Sequence, residues 1–84
     1  MFEKINVSER YHIYISELYI NDKFIQYDRW IYDRKDKTYT HKDMYGHKFK
    51  CKKSVYDLIA NCYNNGQKIN GMTVVKSYDA DLDF

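Results

Sequence analysis

The sequence predicts a small α+β domain: a two-layer antiparallel arrangement of four to five strands, ordered β-β-β-(β)-α-β, with one helix packed on one face. Three observations carry that prediction. Residues 11–32 alternate with the period of two that strands require, and an Asn-Asp pair breaks them in the middle. Residues 54–66 carry the three-and-four spacing of an amphipathic helix. The 84 residues are 44% apolar and lack proline, which suits one domain, residues 1–84, and not two. A domain this small buries only about 60% of its unfolded surface, so its stability margin is narrow.

The elements follow in order. In residues 11–20, Tyr11, Ile13, Ile15, Glu17 and Tyr19 share one face, and His12, Tyr14, Ser16, Leu18 and Ile20 share the other. Both faces are largely apolar, which predicts a central strand. Asn21-Asp22 offers a tight reversal, because both residues tolerate left-handed backbone. Residues 23–32 are the natural partner, with Ile25, Tyr27, Arg29 and Ile31 alternating against Phe24, Gln26, Asp28, Trp30 and Tyr32. The aliphatic content favours Ile25, Tyr27 and Ile31 inward, leaving Phe24, Trp30 and Tyr32 as an aromatic stripe on the second face. The opposite reading places Trp30 in the core between sheet and helix.

Residues 33–37 form a highly charged turn, 38–41 a returning strand, 42–46 a loop ending at Gly46, and 47–51 a short strand around Phe49. Ser54 is the expected helix N-cap, with Asp57 three residues later as a capping-box variant. Val55, Leu58, Ile59 and Cys62 make the expected buried stripe, and Gly66 the left-handed terminus. A helix of about 11 residues is too short to persist alone, so it must dock on the sheet. Asn70-Gly71 is a turn signal, residues 73–78 a last strand, and residues 79–84 an acidic tail expected to fray.

Composition bounds the function. Lys, Ile, Asn, Tyr, Phe and Met make up 42 of the 84 residues. These residue types use AT-rich codons, which matches the gene of an AT-rich bacterium or of one of its phages. The net charge is +2 but segregated: residues 23–53 carry +6, whereas residues 77–84 carry −3. That basic middle predicts an anionic partner or a tail that screens its own patch. Cys51 and Cys62 do not make a disulfide framework. Glu3, Lys4, Glu9, Arg10 and Glu17 interrupt residues 1–20, so no signal peptide or membrane span is read there. The expected location is the cytoplasm of a bacterial host cell.

No set of residues explains a catalysed reaction. His41, His47, Cys51 and Cys62 match no zinc spacing, and no cofactor is expected. Ser54 is better used as a cap than as a nucleophile. Lys50, Lys52 and Lys53 would lower the Cys51 thiol pKa, but His47, four strand residues away, lies roughly 13 Å off. No paired carboxylates, phosphate loop or nucleophile elbow is present. The expectation is a non-enzymatic protein.

Two binding classes remain. A phage-type accessory protein would inhibit a host or defence-system protein by occupying its surface, with Phe24, Arg29, Trp30, Tyr32 and Arg34 as anchors. A nucleic-acid-binding module is the alternative. Arg34, Lys35, Lys37, Lys42, Lys48, Lys50, Lys52 and Lys53 interleave there with Tyr32, Tyr39, Tyr45 and Phe49, giving cations for phosphates and rings for bases. Lys52 and Lys53 would also bring a phosphate to the helix start. A homodimer through a sheet edge is a further option, since no proline guards any edge.

Overall fold

The computed structural model describes residues 9–81. Seven elements follow one another: β1 (Tyr11–Ile20), β2 (Lys23–Asp33), β3 (Thr38–Asp43), β4 (Lys48–Lys50), α1 (Lys53–Asn65), β5 (Lys68–Ile69) and β6 (Met72–Ala80). They make one antiparallel sheet in the order β4-β3-β2-β1-β6-β5, curled into a half-barrel, with a single helix. The α+β class is as predicted. The expected four to five strands in a two-layer stack are corrected to six in a curled sheet. The addition is β5, an edge strand of two residues; the three-residue edge strand β4 falls within the strand expected at 47–51. Two residues leave no alternation to detect, so only the Asn-Gly turn signal marks this part of the sequence.

The turns follow the backbone chemistry. Asn21 and Asp22 both take positive φ, 52° and 65°, as a two-residue hairpin turn requires. Asn70 and Gly71 do the same at 49° and 81°. A Cβ added at Gly71 would come within 3.3 Å of Leu18 Cδ1, so this glycine is needed for space as well as for φ.

The helix starts earlier and buries a different stripe than its spacing suggested. Lys52 is the N-cap, in extended backbone and without a side-chain cap bond. Ser54 therefore lies inside the helix, and Asp57 pairs with Lys53 one turn back at 2.7 Å instead of closing a capping box. Tyr56, Ile59 and Cys62 are buried, whereas Val55 and Leu58 are exposed. The ring of Tyr56 outweighs the aliphatic positions because it reaches further into the sheet, and its hydroxyl donates to the His12 carbonyl at 3.3 Å. Gly66 ends the helix at φ 67°, as expected.

The helix packs against Tyr14, Trp30 and Val74, with Tyr32, Tyr39, Cys51, Ala60, Ile69 and Met72 half-buried around them. The aromatic face of β2 is thus the helix side. The expected inward Ile25 is exposed, and Ile31 is buried on the opposite face beside its cross-strand partner Ile13. Trp30 is fixed by more than packing. Its indole N–H donates to Ser16 Oγ at 2.9 Å, and the fully buried Ser16 hydroxyl reaches Met72 Sδ at 3.7 Å. His41 stacks flat on the indole at 4.1 Å and bonds Asp28 at 2.9 Å, while Gln26 donates to the other Asp28 oxygen. Asp28 is buried, and these two partners satisfy both of its oxygens.

Two register shifts set the faces. In the β1–β6 pair, Ile15 faces Lys76 but Ser16 faces Val74, so Val75 is an extra residue. In the β1–β2 pair, Leu18 faces Gln26 but Tyr19 faces Phe24, so Ile25 is extra. Each bulge reverses which alternate residues look toward the helix.

Trp30→Ala removes the ring between sheet and helix and strands the Ser16 hydroxyl. The expected cost is about 3–5 kcal/mol. A domain of this length holds roughly 4–13 kcal/mol in total. Chemical denaturation should show the variant close to unfolding, whereas a surface tryptophan would leave the midpoint unchanged.

Candidate functional site

The candidate site is built from three surfaces that β1 and β2 position: the sheet face away from the helix, the charged turn at one end, and the hairpin tip at the other. Cross-strand pairing assembles the first. Lys48, Lys42, Arg29, Ile15 and Lys76 stand side by side across five strands, and Lys50, Thr40, Ile31, Ile13 and Tyr78 make the adjacent row. Arg29 lies over the Tyr27 ring at 5.6 Å, and Lys76 over Tyr78 at 5.1 Å, each pair two residues apart on the same face. Arg29 also donates to the Asp43 carbonyl at 2.7 Å. Like charges placed directly opposite one another destabilise a sheet. A row with four cations therefore concentrates positive potential on this face.

The turn between β2 and β3 is organised by Asp33. Arg10 forks onto both Asp33 oxygens at 2.8 and 2.7 Å and reaches Asp36 at 3.1 Å. The amides of Lys35 and Asp36 donate to Asp33 Oδ1 as well. The Arg10 hydrogen bonds, aided by those amides, hold the Asp33 carboxyl down at about 2. Arg34 lies across the turn and ties it to β6, donating to Asp79 at 2.7 Å and to the Glu9 carbonyl. At the loop before β4, Asp43 accepts from the amides of Tyr45 and His47 and from the His47 ring. These bonds outweigh its partial burial and lower its carboxyl pKa.

The third surface is an arm. β3 pairs with β2 only from Asp28 onward, and β6 pairs with β1 only as far as Leu18. Residues 19–25 therefore extend as a two-stranded ribbon beyond the sheet. Four large apolar residues stand on it with half their surface in solvent: Tyr19 at 49%, Ile20 at 53%, Phe24 at 47% and Ile25 at 44%. Tyr19 and Phe24 face each other, with rings edge-on at 5.7 Å.

The residues singled out from sequence do not form one surface. Trp30 is core, so it is not the exposed anchor. Tyr32 and Tyr39, both half-buried, stack on each other at 4.8 Å and pack against Tyr56 on the helix side, so their faces are engaged within the fold. Arg29, Lys42, Lys48 and Lys50 gather on the opposite face. Arg34, Lys35 and Lys37 belong to the turn, Lys52 and Lys53 to the helix start, and Tyr45 is the most exposed ring, at 77%. Phe24 is on the arm. Sequence reasoning missed Lys76, Tyr27 and Tyr78 on the cationic face, and Tyr19, Ile20 and Ile25 on the arm. A signal for the arm was present: the strands expected at 38–41 and 73–78 are too short to flank all of residues 11–32.

Cys51 is not activated. Burial pushes its thiol up, against the lowering expected from its lysine neighbours. Among the described residues no three His, Cys, Asp or Glu side chains converge as metal ligands, no ligand-sized pocket is present, and no helix is long and apolar enough to cross a membrane. Of the acidic end, Asp79 and Ala80 are strand residues of β6, and residues 82–84 lie outside the described ones. No protein-family model, curated protein or solved structure matches the chain.

Asp33 makes a pH signature. Its carboxyl is held at about 2 in the fold against an ordinary value of 3.8. Its stabilisation is therefore complete above pH 4 and is lost as pH falls toward 2. Urea unfolding between pH 2 and pH 7 should show that loss, and Asp33→Asn should flatten this part of the profile.

Proposed function

We propose that the chain is a non-enzymatic binding protein that acts by occupying the surface of a partner protein stoichiometrically, with the β1–β2 arm as its anchor. The observation that supports this is the arm itself. A two-stranded hairpin without flanking strands is marginal in water, and this one keeps about half of Tyr19, Ile20, Phe24 and Ile25 in solvent. Exposed apolar side chains gathered on one projecting element mark interaction sites, and aromatic anchors dominate interface energetics once a partner buries them. The AT-biased residue usage and small size fit a phage accessory protein, which makes a host or defence-system protein the expected partner class.

The arm's exposure makes the test clean. Ile20→Glu alters a solvated side chain and should shift folding stability by no more than about 0.5 kcal/mol, whereas Phe24→Glu also loses the edge-on contact with Tyr19 and should cost about 1 kcal/mol. Both should abolish capture of the partner from lysate of an AT-rich bacterium, compared with the unaltered chain by quantitative mass spectrometry. Unchanged capture would remove the arm from the interface. Light scattering of the pure protein distinguishes a second copy of this chain as the occupant.

The cationic face favours a second reading, nucleic-acid binding through Arg29, Lys42, Lys48, Lys50 and Lys76 with Tyr27 and Tyr78. Binding that neutralises phosphates weakens steeply with salt. Labelled single- and double-stranded DNA should then bind at low salt, and Lys50→Ala with Lys76→Ala should lower the log–log salt slope by about 2. Flat or absent binding removes this reading.

A further inference from the structure

The β1–β6 register brings together three side chains that the binding reading does not use. His12 and Asp79 are directly opposite, and Ser77 is the diagonal neighbour on the same face. Asp79 Oδ1 lies 2.7 Å from His12 Nδ1, and His12 Nε2 lies 2.9 Å from Ser77 Oγ. A carboxylate can only accept, so the Nδ1 hydrogen points at Asp79. That leaves Nε2 of the neutral ring as the acceptor for the Ser77 hydroxyl. The chain of contacts therefore has the order and polarity of a serine nucleophile, an imidazole base and an orienting carboxylate.

The surroundings hold this order. The His12 ring sits edge-on to Tyr14 at 4.9 Å, and Tyr56 bonds the His12 carbonyl at 3.3 Å, so the strand and the ring are both fixed. Arg34 donates to the same Asp79 oxygen at 2.7 Å. His12 and Arg34 together lower the Asp79 carboxyl pKa, which keeps it an acceptor. His12 and Asp79 keep 24% and 35% of their side chains in solvent, and Ser77 is half-buried, so a small reagent can approach from outside. The Val75 bulge is what turns Ser77 and Asp79 to the helix side. Bulges commonly re-aim side chains in this way beside reactive sites.

We propose that Ser77, His12 and Asp79 form a nucleophilic site that accepts acyl groups from activated carboxylic esters. Ser77 Oγ attacks the ester carbonyl while its proton passes to His12 Nε2. The C–O bond to the leaving group breaks, and the leaving alkoxide or phenolate takes the proton from His12. The acyl group stays on Ser77 as an ester, so the site is used once per chain and does not turn over. Asp79 is a positioning residue that fixes the imidazole tautomer and stabilises the imidazolium. With no ligand-sized pocket among the described residues, the expected acyl donors are small aryl esters with good leaving groups.

The probes are 4-nitrophenyl acetate and diisopropyl fluorophosphate on the intact chain, read by release of 4-nitrophenolate and by peptide mass mapping. The expected result is one adduct per chain on Ser77, with the exposed Ser54 left unmodified as an internal control. Ser77→Ala should abolish that adduct. His12→Gln should slow it by about 100-fold or more, and free imidazole should restore it in His12→Gly. Asp79→Asn should slow it and Asp79→Glu recover part of the rate, with near-ultraviolet dichroism unchanged in each. Adducts confined to lysines and tyrosines, or Ser77 labelled no faster than Ser54, would overturn the proposal in the unaltered chain, whatever the variants do. A Ser77 rate indifferent to His12 would overturn it as well.

Discussion

The structure depends on the position of β1, which is hydrogen-bonded along both edges and covered by the helix on one face. A strand in that place must satisfy two registers at once, and the bulges at Val75 and Ile25 reconcile them. The Val75 bulge lets Met72 and Val74 point at the helix and then brings Ser77 and Asp79 to the same side. Without that extra residue, the lower half of β6 would keep its contact with Ile59 and Cys62 only by turning His12's partners to the opposite face.

From this constraint the division of labour follows. The helix side is taken by rings: Tyr14, Trp30 and Tyr56 are buried there, and Tyr32 and Tyr39 pack half-buried against them. Their polar edges are satisfied internally, by Ser16 for the indole and by the His12 carbonyl for Tyr56. Cations are consequently displaced to the far face or to the turns. The arm keeps Tyr19, Ile20, Phe24 and Ile25 in solvent because β3 and β6 stop short of it, while Tyr45, Phe49, Val55, Leu58, Tyr63 and Val75 are exposed elsewhere. Trp30, Tyr32 and Tyr39 thus fall on the helix side, whereas Arg29, Lys42, Lys48 and Lys50 share the far face with Tyr27 alone among the rings between residues 24 and 53.

How much of this was legible depends on the distance over which each feature is encoded. Local backbone chemistry was readable: the turns at Asn21-Asp22 and Asn70-Gly71, the glycine terminus at Gly66, the helix, and the strands at 11–20 and 23–32. Parity was not, because a bulge is invisible in alternation; Ile25 reads as the inward neighbour of Tyr27 unless its extra place in the ladder is known. Ile59 and Cys62 are buried as the helical spacing predicts, but Val55 and Leu58 give way to Tyr56, whose ring buries more area and whose hydroxyl finds an acceptor. The Ser77–His12–Asp79 cluster joins residues 65 and 67 positions apart through strand pairing alone, so nothing in a linear scan connects them.

The β1–β6 register is the central claim, and backbone nuclear Overhauser contacts with amide hydrogen-bond couplings measure it directly. The account predicts His12 opposite Asp79, Ile15 opposite Lys76 and Ser16 opposite Val74, with Val75 outside the ladder. Ser16 opposite Val75, in continuous register, would contradict it and with it the facing of every residue from Met72 to Val75.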